Sequence, residues 1–118
     1  MVISERLYVT NRQEWRQWLE KHHQTAKGVW LVHYRKHTGK PSIAYEEAVE
    51  EALCFGWIDS IQLHIDDESY AQRFTPRKDN SEWSETNLRR VKKLLKEGKM
   101  TPAGLAKLSN LKDWDKKD

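Results

Sequence analysis

Apolar and polar positions recur along this chain with two different periods, and each change of period marks an element. Leu7-Tyr8-Val9 is a short apolar run closed by Thr10-Asn11. Either of those two can cap a helix, with Gln13 or Glu14 in capping-box position three residues on. Trp15, Trp18, Leu19 and His22 then fall at helical spacing, which predicts a helix over 12–23 with an aromatic inner face. From Gly28 the period drops to two. VWLVHYRKH is rich in β-branched and aromatic residues, and a strand over 29–36 places Trp30, Val32 and Tyr34 on one side. The cluster HTGKPS is a turn.

The helical period returns at Tyr45, Ala48, Val49, Ala52 and Leu53, with Glu46, Glu47, Glu50 and Glu51 expected on the outer face and Gly56 ending the helix. Residues 57–65 alternate once more. Trp57, Asp59, Ile61, Leu63 and Ile65 share one side, opposite Ile58, Ser60, Gln62 and His64. After the turn Asp66–Ser69, YAQRFTPR alternates too, and Pro76 marks the end of pairing. A loop of two or four residues would pair Ile61 with Phe74 and Ile65 with Tyr70. A three-residue loop would put Leu63 against Arg73 and split the apolar face, so the first register is the expected one.

Ser84 is placed to cap a further helix, with Trp83 and Leu88 as a hydrophobic staple and Leu88, Val91, Leu94 and Leu95 as the inner stripe. Gly98 stops it, and Thr101-Pro102 starts another. The tail 113–118 is expected to fray. The order βαβαββαα predicts a single domain over 1–118 of the α+β class. It has a small, mainly antiparallel sheet (short N-terminal strand, strand 29–36, hairpin 57–76) packed against about four helices, mainly on one face.

Composition narrows the setting. The 118 residues suit one domain with a real core. With 33% charged residues and a mean hydropathy of −0.94, no stretch approaches membrane-spanning length. The first eleven residues lack a signal-peptide pattern, and one cysteine cannot form an internal disulfide, so a cytoplasmic setting is expected. Net charge is +3 but lopsided: residues 1–72 hold eight Lys/Arg and eleven Asp/Glu, residues 73–118 thirteen and seven. Such asymmetry can steer an anionic partner, although a solvated basic helix is the plainer explanation.

Asp59 is the residue that the alternation explains least, because an ionised carboxylate among core neighbours needs a partner. It is either paired structurally or a pocket-floor group that orients a cationic part of a ligand. Arg73 and Arg77 lie four apart on one strand face, about 13 Å from each other, a spacing suited to two anionic groups or an extended acidic chain. With Lys78 and the basic 89–99 helix (Arg89, Arg90, Lys92, Lys93, Lys96) they could form one basic face. Aromatics among cations can stack on single-stranded nucleic acid; most here sit at core positions, which argues for packing, and Trp83, between these cationic segments, is the exception. Cys54 sits in a last helical turn, where the dipole disfavours a thiolate, and reads as packing. His33 and His37 are too far apart on a strand to share a metal, and no P-loop, CxxC, HExxH or GxSxG occurs. No metal or cofactor is expected.

Four segments in fixed order, EEAVEEALCFGWIDS, RFTPRK, SEWSETNLRRV and KMTPAGLAKL, resemble the YdeI/OmpD-associated family, also named for bacteriocin protection. The likeness runs from about Trp30 to Leu108. It implies a role in resistance to bacteriocins or antimicrobial peptides and implies no known reaction. The family's motif positions include Trp57, Asp59, Arg73, Arg77, Trp83 and Asn87 here. Together with the reading above they give an expected ligand site that also includes Trp57: Asp59 orients, Arg73 and Arg77 bind anionic groups, Trp83 supplies a stacking wall, and Asn87 hydrogen-bonds. The leading expectation is therefore a non-catalytic binding or protection protein for an anionic small molecule, peptide or protein. Nucleic-acid binding through the basic helix is the second, and an enzyme using Asp59 as general base the third.

Overall fold

The structure is a computed structural model, and it describes residues 5–78 and 82–108. Eight main elements follow one another: β1 (Arg6–Tyr8), α1 (Arg12–His22), β2 (Val29–Tyr34), α2 (Tyr45–Cys54), β3 (Trp57–His64), β4 (Ser69–Pro76), α3 (Glu85–Lys96) and α4 (Pro102–Ala106). The strands form one sheet in the order β1-β2-β4-β3. β1 runs parallel to β2, as a strand–helix–strand crossover demands, and the other pairs are antiparallel. This is the expected α+β architecture. The tail 113–118 lies outside the described residues.

The caps form where short polar side chains predicted them. Asn11 accepts from the Glu14 amide at 3.0 Å, and the Glu14 carboxylate returns to Thr10 N at 2.7 Å. Ser84 accepts from Asn87 N and Thr101 from Gly104 N. α2 ends at Gly56, whose φ of +76° only glycine adopts without strain. The core lies on the helix-covered face of the sheet. Trp15, Leu19, Leu53, Trp57, Phe74 and Leu94 meet there, all at 1% exposure or less, and the Trp15 indole donates to Ala48 O at 2.9 Å, joining α1 to α2. α4 rests on the C-terminal end of α2, because Thr101 donates through both its amide and its hydroxyl to Cys54 O.

Three details differ from the sequence reading. β2 ends at Tyr34, two residues early, because Lys36–Thr38 coil into a 3₁₀ turn closed by Gly39 at φ +68°. The hairpin does not take the expected register. His64 faces Tyr70 and Leu63 faces Ala71, then a bulge between Asp59 and Gln62 shifts the frame so that Asp59 faces Phe74. The extra residue sends Ile61 outward, 49% exposed, and puts Leu63 on the face opposite the helices, where Val32 also pairs with Ala71. A bulge lets one strand serve two faces, which a strict alternation cannot reveal.

The third difference is electrostatic. Glu50 and Glu51 are not on an outer face but 2% exposed. Arg12 donates to Glu51 at 2.7 Å and to Glu50 at 3.0 Å, Arg16 to Glu51 at 2.9 Å, and Lys93 to Glu50 at 2.7 Å. The pair is thus clamped between α1 and α3. Burial opposes the ionisation of Glu50, yet the bonds from Lys93 and Arg12 outweigh it and hold the carboxyl below its usual range.

Candidate functional site

Asp59 occupies the edge strand β3 on the helix-covered face, opposite Phe74, and is only partly buried. Two donors reach it, both on Oδ2: the Tyr45 hydroxyl at 3.1 Å and the Gln72 amide nitrogen at 3.3 Å. No donor among the described residues reaches Oδ1. Tyr45 is the first residue of α2 and keeps 43% of its surface exposed, so its ring stands at the rim of the site. Burial and the negative charge of Asp59 hold its phenol above the ordinary value.

Behind Asp59 a polar chain runs into the core. Gln72 is wholly buried on β4, and its Oε1 lies 2.8 Å from His33 Nε2. The other ring nitrogen, Nδ1, lies 3.3 Å from Ile43 O. His33 is 2% exposed and stacks on Tyr70, centroids 4.9 Å apart and planes 11° from parallel. Burial pushes its pKa down against the bonds to Gln72 and Ile43. Strand parity assembles this chain, since β2 pairs Leu31 with Gln72 and His33 with Tyr70.

α3 closes the other side. Arg90 grips Glu46 with two bonds of 2.7 and 2.9 Å and donates to Asn87 Oδ1 at 2.7 Å. The bonds it donates to Glu46 raise Arg90 despite its partial burial, and the nearby Tyr45 and Asp59 act in the same direction. Asp59, Glu46 and Arg90 therefore form a pole with one net negative charge. Its carboxylate is poised to accept hydrogen bonds or to face a cation.

The other expected site residues are distributed differently. Arg73 pairs with Trp30 on the opposite sheet face, its guanidinium carbon 5.4 Å from the Trp30 ring centroid. Arg77 does not share that surface. β4 has ended at Pro76, and the side chain turns inward to 6% exposure. It lies over the Trp83 ring at 3.8 Å, donates to Glu82 O at 2.8 Å, and burial lowers its pKa. An outward pair of arginines 13 Å apart is not what forms. Trp83 is occupied as a wall by Arg77, and Trp57 is core, 1% exposed and edge-on to Trp18. Of the expected set, Asp59 and Asn87 come together through Tyr45, Glu46 and Arg90.

The basic helix is partly neutralised from within, since Arg90 and Lys93 are paired to Glu46 and Glu50. A shallow groove of about 410 Å³ remains along Arg89, Lys92, Lys93, Lys96 and Glu97, and Arg89 carries its own i,i+4 partner, Glu85. Burial and the adjacent Glu51 charge push the Cys54 thiol up to about 11, which fits packing and not nucleophilicity. Among the described residues no group of three metal-ligating side chains gathers, and no helix is long and apolar enough to cross a membrane.

Sequence reasoning passed over Tyr45, Gln72 and His33. The available signal was parity: His33 follows Val29 and Leu31 at every second position, and Gln72 precedes Phe74 by two, so both were polar residues at core positions.

These features define a small α+β domain whose distinctive site is a half-buried carboxylate backed by a buried polar chain. Residues 7–107 match the family described as a domain of unknown function (DUF8412), and the chain belongs to that family. No curated protein and no solved structure matches it.

Proposed function

We propose that this is a non-catalytic binding domain whose ligand presents a cationic group to Asp59. One observation supports the reading above the others: the carboxylate has both described donors on one oxygen, leaving Oδ1 to accept at a rim shaped by Tyr45. The charge balance of the pole favours a cation over the anion expected from Arg73 and Arg77, now that one of those is engaged with Trp83 and the other lies across the sheet. Buried carboxylates are costly unless paired, and an incoming ammonium or guanidinium completes the pairing. The four segments resembling the bacteriocin-protection family suit a cationic peptide as that ligand, in a protective role.

The test is backbone amide NMR with a lysine-rich peptide added to the free protein. Shifts are expected around Tyr45, Asp59 and Asn87 and should be absent in Asp59→Asn. Shifts confined to Arg89, Lys92 and Lys96 on adding an oligonucleotide, with none from the peptide, would replace this reading with the nucleic-acid one.

A further inference from the structure

The chain from Ile43 through His33 and Gln72 to Asp59 has an acceptor at each end. Ile43 O can only accept, and so can an ionised Asp59. Between them stand an imidazole, which when neutral has one donor and one acceptor nitrogen, and an amide, which has one donor end and one acceptor end. With Gln72 donating to Asp59, its Oε1 requires a proton on His33 Nε2. Neutral His33 then has a bare Nδ1 facing Ile43 O at 3.3 Å, and one contact between two buried residues is unmade.

We infer that this chain has a place for one additional proton, and that the orientation of the Gln72 amide sets whether that proton stands at His33 or at Asp59. Two arrangements satisfy every group. In the first, His33 is an imidazolium donating from both nitrogens, and Asp59 is ionised. In the second, Gln72 is turned over. His33 Nδ1–H donates to Ile43 O, the Gln72 nitrogen donates to His33 Nε2, and a protonated Asp59 donates to Gln72 Oε1. Passing from the first to the second breaks the His33 Nε2–H bond and makes an Asp59 O–H bond, the proton exchanging through water at the half-exposed carboxylate. No other covalent bond changes, and the hydrogen bonds at both ends of the Gln72 amide reverse direction.

The surroundings fit both arrangements. Tyr70 of β4 stacks on His33, with Arg35 above the Tyr70 ring at 5.2 Å. Tyr45 of α2 donates to Asp59. Arg90 of α3, held by Glu46, lies within electrostatic reach of Asp59. A cation at Asp59 needs the carboxylate form, so it disfavours the second arrangement and ties binding to the amide orientation and tautomer of a histidine that no ligand touches. In this respect the inference deepens the reading of Asp59 as the ligand site and rests on it.

The experiment is ring-nitrogen NMR of His33 in the free protein, so that its failure and a failure of cation binding are separable. At pH 8 the wild type should show the Nε2–H tautomer and take up one proton on acidification. Asp59→Asn supplies its own donor to Gln72 Oε1, turns the amide over, and should switch His33 to the Nδ1–H tautomer. Gln72→Met removes the amide and should give the same switch even if the first variant folds poorly. An unchanged tautomer in either folded variant overturns the inference.

Discussion

Tyr45 donates its hydroxyl to the Asp59 carboxylate across 3.1 Å, joining the first turn of α2 to the edge strand β3. The bond fixes the rim of the site, and burial, the Asp59 charge and this bond together raise the phenol pKa. A raised phenol pKa means stability that is fully present below the ordinary value near 10 and is lost as pH rises through the higher folded value. Absorbance titration should find one tyrosine ionising above the ordinary value, and that late step should vanish in Tyr45→Phe.

Glu50, held in the clamp by Lys93 and Arg12, contributes to the acid limb of stability. The Glu50 carboxyl is held below its ordinary value of 4.5, so its contribution is complete above that value and is lost as pH falls through the lower folded one. Glu50→Gln should flatten the loss of melting temperature below pH 4.5. Glu51→Gln leaves two arginines facing a neutral group and should cost about 3 kcal/mol in urea unfolding at pH 7.

Arg73 and Arg77, alike in sequence, should separate in the same assay. Arg77→Ala removes a desolvated cation from the Trp83 face and a bond to Glu82 O, for a loss of about 2–3 kcal/mol. Arg73→Ala removes a half-exposed side chain over Trp30 and should cost under about 1 kcal/mol. Equal losses would mean that the inward turn of Arg77 is not what stabilises the end of β4.

Close packing gives a further check at Gly104. A side-chain carbon there would meet the Cys54 carbonyl and stand 2.9 Å from Leu53 O. Gly104→Ala should therefore lower the melting temperature by several degrees, by pushing α4 off α2, despite alanine's better helix propensity. A rise in melting temperature would show that α4 does not dock there.

The fold was readable because periods and caps are local. Asn11, Ser84, Thr101 and Gly56 act within three or four residues of themselves, and each element they bound stands where the pattern put it. The site was less readable because it depends on pairing. Asp59 was visible as a misfit in an apolar run, but its partners Tyr45 and Gln72 come from elements 14 and 13 residues away. The bulge behind it fixes a register that the turn alone does not. Glu50 and Glu51 appeared solvent-facing because a helix's own periodicity cannot show that Arg12 and Arg16, more than thirty residues earlier, close over it.

The affinity of a lysine-rich peptide for the wild type, Asp59→Asn and the double variant Lys92→Glu/Lys96→Glu, measured by calorimetry at one salt concentration, tests the carboxylate site most directly. Loss of one charge-assisted hydrogen bond predicts binding at least about tenfold weaker in Asp59→Asn, with its melting transition retained, and no weakening in the double variant. Equal affinity of the wild type and a folded Asp59→Asn would contradict the account.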